Sequence, residues 1–302
     1  MIQIKKILCP TDFSEFSHHA LDVSLVLAKW YRSEVAVVHV IPKVLMPPQE
    51  FPYVQAPVAV GTEERERAFA ELGQFVHKAR ESGITTEVVL EDGDPVPVIL
   101  EFTKKLPADL IVLGSHGRSG VDRLLLGSVT EKLLRKSTVP VLTVPRALTA
   151  SLPASEPPFK KILCPVDFSP PSLRALEFAF SLAEEADARL TLMNVLEWGP
   201  DSDLPDNMRA VVGEYRKIQE KEARERLQKL VPENARQFCD PEVVVVSGRP
   251  SREILDFASA HAVQLIVMGV HGRGALNLIV YGSQTQHVVR EAACPVLTIR
   301  SG

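Results

Sequence analysis

The chain has 302 residues, 45% hydrophobic and 24% charged, with a formal net charge of −4. That length suits two domains of ordinary size, each able to bury its own core. The composition is globular and lacks the basic block that a nucleic-acid-binding face requires. No apolar run approaches the ~20 residues needed to span a bilayer. Met1-Ile2-Gln3-Ile4-Lys5-Lys6 leads straight into a strand-like run without a secretory signal, so a cytoplasmic location is expected.

Residues 4–9 predict a short buried strand, and Thr11-Asp12-Phe13-Ser14 turns the chain. A helix follows through Ala20, Leu21, Ser24, Leu25, Leu27 and Ala28 at helical apolar spacing. Val35 to Ile41 is a second strand. Residues 42–61 carry Pro42, Pro47, Pro48, Pro52 and Pro57 and predict an irregular excursion without an element. A helix is expected from about Thr62 to Glu81, with Phe69, Leu72, Phe75, Val76 and Ala79 on its apolar side. Thr86 to Leu90 is a third strand, Gly93-Asp94-Pro95 a turn, and Val98, Ile99 and Phe102 mark the next helix. Leu110 to Leu113 is a fourth strand, and a glycine-rich loop follows it. A helix from Ser128 and a strand from Val139 to Val144 complete the run. Alternating strands and helices with continuously apolar strands predict a parallel sheet with helices on both faces and right-handed crossovers.

The whole pattern then repeats. Lys5-Lys6-Ile7-Leu8-Cys9-Pro10-Thr11-Asp12-Phe13-Ser14 returns 155 residues later as Lys160-Lys161-Ile162-Leu163-Cys164-Pro165-Val166-Asp167-Phe168-Ser169. The same offset relates Gly93-Asp94-Pro95 to Gly248-Arg249-Pro250, and Pro140-Val141-Leu142-Thr143 to Pro295-Val296-Leu297-Thr298. The chain is a duplication, with domains expected at 1–146 and 159–302. The joining stretch 147–158 is rich in Ala, Ser and Pro, a linker composition. In the second copy the excursion, 197–207, is shorter and the following helix longer. That helix spaces Met208, Val211, Val212, Tyr215, Ile218, Leu227 and Leu230.

The chemistry concentrates in the glycine loops. Gly114-Ser115-His116-Gly117-Arg118 runs on to Gly127-Ser128-Val129-Thr130-Glu131, between a strand and a helix. Gly269-Val270-His271-Gly272-Arg273 runs on to Gly282-Ser283-Gln284-Thr285 at the same spacing. In open parallel sheets, ligands bind at the carboxyl ends of the strands. Glycine admits a close backbone approach, and a helix N-terminus offers unpaired N–H donors and partial positive charge to a phosphate. Ser128-x-x-Glu131 and Ser283-x-x-Gln286 match a capping box, which sets a purely structural reading of the serines beside the phosphate-binding one.

Asp12 and Asp167 follow the first strand of each copy, where a ribose or base contact competes with a simple turn or cap. His116 and His271 anchor the loop or bond a phosphate. They have no partner at metal-ligand spacing, so no metal site is expected. Arg118 and Arg273 offset phosphate charge or are solvated. His18 and His19 fall on the first helix as surface residues. Cys9, Cys164, Cys239 and Cys294 include no C-x-x-C pair and are expected as small buried residues. No phosphate-binding Gly-x-x-x-x-Gly-Lys-Ser/Thr, dinucleotide Gly-x-Gly-x-x-Gly or hydrolase Gly-x-Ser-x-Gly pattern is present. No catalytic set can be assembled.

These residues resemble the universal stress protein family in its tandem form. The motifs that carry the resemblance are Leu8 to Ser14, Val38-His39-Val40, and Gly114-Ser115-His116-Gly117 with Gly127-Ser128-Val129-Thr130. The spacing of the three glycines is similar to that of the family's ATP-binding branch. The resemblance implies two doubly wound α/β domains, adenine nucleotide alpha hydrolase-like, each with a five-stranded parallel sheet of strand order 3-2-1-4-5. It implies adenine and ribose near Pro10, Thr11, Asp12 and the backbone of Val40. It implies phosphates against Gly114, Gly117, Gly127, Ser128, Val129 and Thr130. In the second copy the corresponding residues are Pro165, Val166, Asp167 and Val195, with Gly269, Gly272, Gly282, Ser283, Gln284 and Thr285. Val166 in place of Thr11 and Gln284 in place of Val129 depart from the first copy.

The resemblance also implies pairing through the last strands, as a homodimer or an internal pseudo-dimer, and Mg²⁺ held by the phosphates of ATP. The function expected is that of a nucleotide-dependent regulator or binding module in stress response, with an unidentified protein partner and with neither nucleic acid nor membrane as partner. A slow ATPase or phosphotransferase, and a scaffold that binds no nucleotide, are the alternatives.

Overall fold

The computed structural model describes residues 2–42, 45–46, 56–57, 61–117, 126–145, 158–198, 206–270 and 282–300. The chain divides into two compact units, one holding Gln3–Glu156 and the other Pro157–Gly302.

In the first unit, β1 (Lys6–Thr11), β2 (Glu34–Ile41), β5 (Thr86–Asp92), β6 (Leu110–Gly114) and β7 (Val141–Val144) form a sheet in the order β5-β2-β1-β6-β7. All pairs are parallel, with Ile7 opposite both Val35 and Leu110. Counted within the unit, the order is 3-2-1-4-5. Ile7, Leu8 and Ile111 are fully buried, as strands covered on both faces require. The helices are α1 (Glu15–Tyr31), α2 (Thr62–Phe75), α3 (His77–Glu81), α4 (Pro95–Lys105) and α5 (Ser128–Lys136). Ser14 caps α1 by accepting the Ser17 N–H, and the helix ends on Arg32 in the left-handed region at φ 56°.

The excursion after β2 is not wholly irregular: Leu45–Met46 (β3) and Ala56–Pro57 (β4) pair antiparallel. The helix expected over 62–81 is two helices. Val76 leaves the helical region at φ −87° and ψ 1° with its side chain fully buried. Gly73 and the β-branched Val76 both weaken a continuous helix there. Phe69, expected on the apolar side, is 64% exposed, while Leu72, Phe75, Val76 and Ala79 are buried.

The second unit repeats the plan with β8 (Lys161–Pro165), β9 (Arg189–Leu196), β10 (Asp240–Ser247), β11 (Leu265–Gly269) and β12 (Val296–Ile299), in the order β10-β9-β8-β11-β12. Its pairs are parallel as well. The helices are α6 (Pro170–Ala186), α7 (Asp206–Leu230), α8 (Pro250–Ala260) and α9 (Ser283–Glu291). Among the described residues of α7, the buried ones, Ala223 and Leu227, lie in its C-terminal half. Met208, Val211, Tyr215 and Ile218, which helical spacing groups with Leu227, are exposed. No helix among the described residues is long and apolar enough to cross a membrane.

Candidate functional site

The site of the first unit is built where β1, β2 and β6 end, at the point where the strand order reverses. β1 delivers Pro10, Thr11 and Asp12. The Thr11 carbonyl accepts from His39 Nδ1 on β2 (2.8 Å), and the Thr11 hydroxyl accepts the Phe13 N–H (3.0 Å). Phe13 is held at φ 63°, in the left-handed region a phenylalanine rarely occupies. Its ring lies 4.2 Å from that of His39 and meets Phe75 edge-on at 5.9 Å. These contacts hold a sharp turn that presents Asp12.

Asp12 is a turn residue at the end of β1. Its Oδ1 accepts the Ser14 N–H (3.1 Å) and the Ser17 hydroxyl (2.6 Å). Its Oδ2 faces the glycine loop: a Cβ on Gly117 would stand 2.8 Å from it. Val40 is buried further along β2, paired in register with Glu91.

β6 delivers the loop. Gly114 is glycine for packing, since a Cβ there would lie 2.6 Å from Phe16 Cβ and 3.1 Å from the Phe16 backbone of α1. Ser115 Oγ and His116 Nδ1 bond at 2.9 Å, and the His116 ring lies 5.3 Å from Phe16. The loop closes when the Gly127 N–H donates to the Ser115 carbonyl (3.0 Å). Thr130 Oγ1 donates to the Gly114 carbonyl (2.9 Å) and fastens α5 to the end of β6.

The capping box expected at Ser128 is not formed. Gly127 is the N-cap, Ser128 is the first helical residue, and no side chain among the described residues caps the helix. Ser128 is exposed and Val129 half-buried at this N-terminus. Backbone donors at an uncapped first turn with a glycine before it make a fitting cradle for an anion.

The second unit reproduces the arrangement with different side chains. Asn194 Nδ2 donates to the Val166 carbonyl (2.6 Å), where His39 serves Thr11. Asp167 Oδ1 accepts from Ser169 N–H (3.0 Å) and Ser169 Oγ (2.5 Å). Phe168 repeats the left-handed φ at 64°, with the Arg226 guanidinium of α7 3.8 Å from its ring centre. A Cβ at Gly269 would meet Pro171 at 2.7 Å, as Gly114 meets Phe16. Thr285 Oγ1 donates to the Gly269 carbonyl (3.0 Å), and the Gly282 N–H to the Val270 carbonyl (3.2 Å). Gly282 caps α9, again without a side-chain cap, so Ser283 with Gln286 forms no capping box either. Pro165 and Val195 lie half-buried at the ends of β8 and β9.

Arg118, His271, Gly272 and Arg273 lie outside the described residues. Among the described residues no cluster of three His, Cys, Asp or Glu could hold a metal ion. All four cysteines are buried and unbridged. Burial pushes the Cys9 thiol, one residue before Pro10, up to about 12, which leaves it unreactive. Motif reading missed Asn194 and Ser17, and it quoted His39, Phe13 and Phe168 without giving them a role. Aligning the copies at 155 residues pairs His39 with Asn194, and that pairing is the signal that could have found them.

Comparison with known proteins agrees with this architecture. The model of the universal stress protein family matches residues 3–145 and 158–300. Over 314 aligned residues the chain is 29% identical to a universal stress protein of Mycobacterium tuberculosis strain H37Rv, covering 97% of this chain and 94% of that protein. A crystal structure of a universal stress protein from Archaeoglobus fulgidus has a TM-score of 0.71 at 26% identity, with 100% of both chains covered. A universal stress protein solved in complex with cAMP covers 48% of this chain with 98% of its own, at 23% identity and a TM-score of 0.37. With two matched domains filling nearly its whole length, the chain belongs to the universal stress protein family, in the tandem form.

Proposed function

We propose that each half binds an adenine nucleotide, ATP with Mg²⁺ held mainly by the phosphates, and that the protein serves stress response as a nucleotide-dependent regulator or binding module. The observation that carries this is the twice-built helix start. Gly127 and Gly282 occupy the N-cap positions of α5 and α9, and no side chain among the described residues caps the first-turn donors. Asp12 and Asp167 stand at the neighbouring strand ends, in reach of a base or ribose. The Thr130 and Thr285 hydroxyls are engaged with strand carbonyls, so those residues would serve a phosphate through backbone N–H alone. Four unbridged cysteines suit a reducing compartment, and we place the protein in the cytoplasm.

Isothermal titration of nucleotide-stripped protein with ATP and Mg²⁺, followed by an assay for ADP on the same sample, tests the reading. Two sites without turnover support a binding module. Steady turnover would make the protein an enzyme instead. No heat and no thermal shift would reject nucleotide binding.

A further inference from the structure

The start of α4 and the start of α8 are equivalent, 155 residues apart, and each has a first-turn amide on a buried residue. Val96 is 2% exposed and Ser251 fully buried. An amide in that position needs a protein acceptor. The two units supply it differently. In the first, the N-cap residue does so itself: Asp94 Oδ1 accepts the Val96 N–H at 3.3 Å. In the second, the N-cap is Arg249, which has no acceptor. Gln284 takes over, its Oε1 accepting the Ser251 N–H at 3.0 Å. Gln284 occupies the position of Val129, whose side chain cannot accept a hydrogen bond.

Two substitutions therefore go together, Asp94 to Arg249 and Val129 to Gln284. Their effect is to move the cap of one helix onto another. Gln284 is the second residue of α9, in the first turn whose backbone donors were assigned above to phosphate. One residue would then bind ligand through its main chain and hold α8 through its side chain. In the first unit these duties belong to separate residues, because Asp94 caps α4 from within its own turn.

We propose that Gln284 couples occupancy of the second nucleotide site to the start of α8, and that the first site has no such link to α4. The inference rests on the nucleotide reading of the α9 N-terminus. Binding there would restrain the backbone of Gln284 and with it the side chain that reaches Ser251. The Ser251 amide would open less often. Fixing a single hydrogen bond is worth a factor on the order of fivefold in opening. The two copies of one domain would thus give unequal outputs for the same ligand: occupancy of the second site would stiffen the α8 face, and occupancy of the first would remain local. Gln284 acts here as a positioning residue.

Amide hydrogen exchange followed by NMR on the full chain, with and without ATP and Mg²⁺, separates the possibilities. The first-turn amides of α5 and α9 report occupancy. With both occupied, exchange at Ser251 should slow about fivefold while Val96 stays unchanged. The double variant R249D/Q284V gives the second unit the first unit's cap. At ATP concentrations that saturate it, α8 should be as stable as before, yet Ser251 should no longer respond. A cap with a structural role alone would leave Ser251 unresponsive to ATP both before and after the substitutions. Protection at α9 without any change at Ser251, or a Ser251 response that survives in the double variant, overturns the coupling. Absence of protection at α9 itself overturns the nucleotide reading and the coupling with it.

Discussion

Asp12 and Gly117 fit together through a missing side chain: a Cβ at residue 117 would stand 2.8 Å from Asp12 Oδ2. Gly114, three residues earlier, is glycine for an unrelated reason, because α1 crosses the end of β6 with Phe16 Cβ only 2.6 Å from where its Cβ would be. One glycine admits a helix and the other admits the Asp12 carboxylate.

That division makes the two alanine variants behave differently. Gly114→Ala forces a methyl into helix backbone that cannot swing away and should destabilise the first unit by about 1–3 kcal/mol. Gly117→Ala meets the end of one side chain and should lower the urea midpoint less than Gly114→Ala does. It should weaken ATP binding to the first site by tenfold or more, on the order of 1.4 kcal/mol, because Asp12 must turn away. Denaturation and calorimetry on both variants check the contrast. Equal effects of the two on stability would show that the loop glycines act as a single packing unit.

His39 and Asn194 perform one task with different chemistry, each donating to the carbonyl of the first strand's last turn, at 2.8 Å and 2.6 Å. His39→Asn should therefore be tolerated within about 1 kcal/mol, because the second unit already uses that solution. His39→Leu leaves the buried Thr11 carbonyl unserved and should cost about 1–3 kcal/mol. It should also loosen Phe13, whose ring rests on the imidazole. Urea titration of the two variants distinguishes hydrogen bonding from ring packing. Equal losses in both would mean that the ring contact is what matters.

The fold was legible because a duplicated α/β pattern is written in long, redundant signals: apolar strands, glycine turns, and a 155-residue offset kept by Lys5 and Lys160 as by Gly114 and Gly269. The strand ends and helix starts that carry the candidate site were legible for the same reason. Its finer geometry was less so. The helix expected from Ser128 does begin there, but the Ser128-x-x-Glu131 box does not form, since Gly127 is the N-cap at φ −57° and ψ 135°. The spacing of Met208, Val211, Tyr215 and Ile218 marks a helix face without saying what covers it, and the structure leaves them exposed. The link from Gln284 to Ser251 spans 33 residues and appears only when the chain is folded.

The Thr130 and Thr285 hydroxyls each tie the helix after the glycine loop to a glycine carbonyl, at 2.9 Å and 3.0 Å, and both residues are buried. Thr130→Val keeps the shape and removes the bond, leaving the Gly114 carbonyl short of a partner. It should cost about 1–2 kcal/mol, and Thr130→Ser should restore most of that. ATP affinity at the first site should fall with Thr130→Val because the first turn of α5 is no longer fastened. If affinity holds while stability drops, α5 is positioned by its loop and packing alone.

The buried thiols predict an alkaline limit to stability. Burial pushes Cys9 and Cys294 from an ordinary value of 9.0 up to about 12 each, and Cys164 is raised as well. A thiol that stays protonated in the fold but ionises in the unfolded chain favours unfolding as pH rises. Its stabilising contribution is complete below pH 9 and is lost progressively between about 9 and 12, at about 1.4 kcal/mol per pH unit for each group. The urea midpoint should fall steeply from pH 9 to pH 10.5, and the double variant C9A/C294A should show a shallower slope. Tyrosine and lysine titration is shared by both proteins and cancels in that difference. The variant will start lower, since removing two buried sulfurs leaves space behind, but that offset is independent of pH. Parallel slopes would mean that hydroxide reaches these thiols in the native state and that they ionise before the chain unfolds.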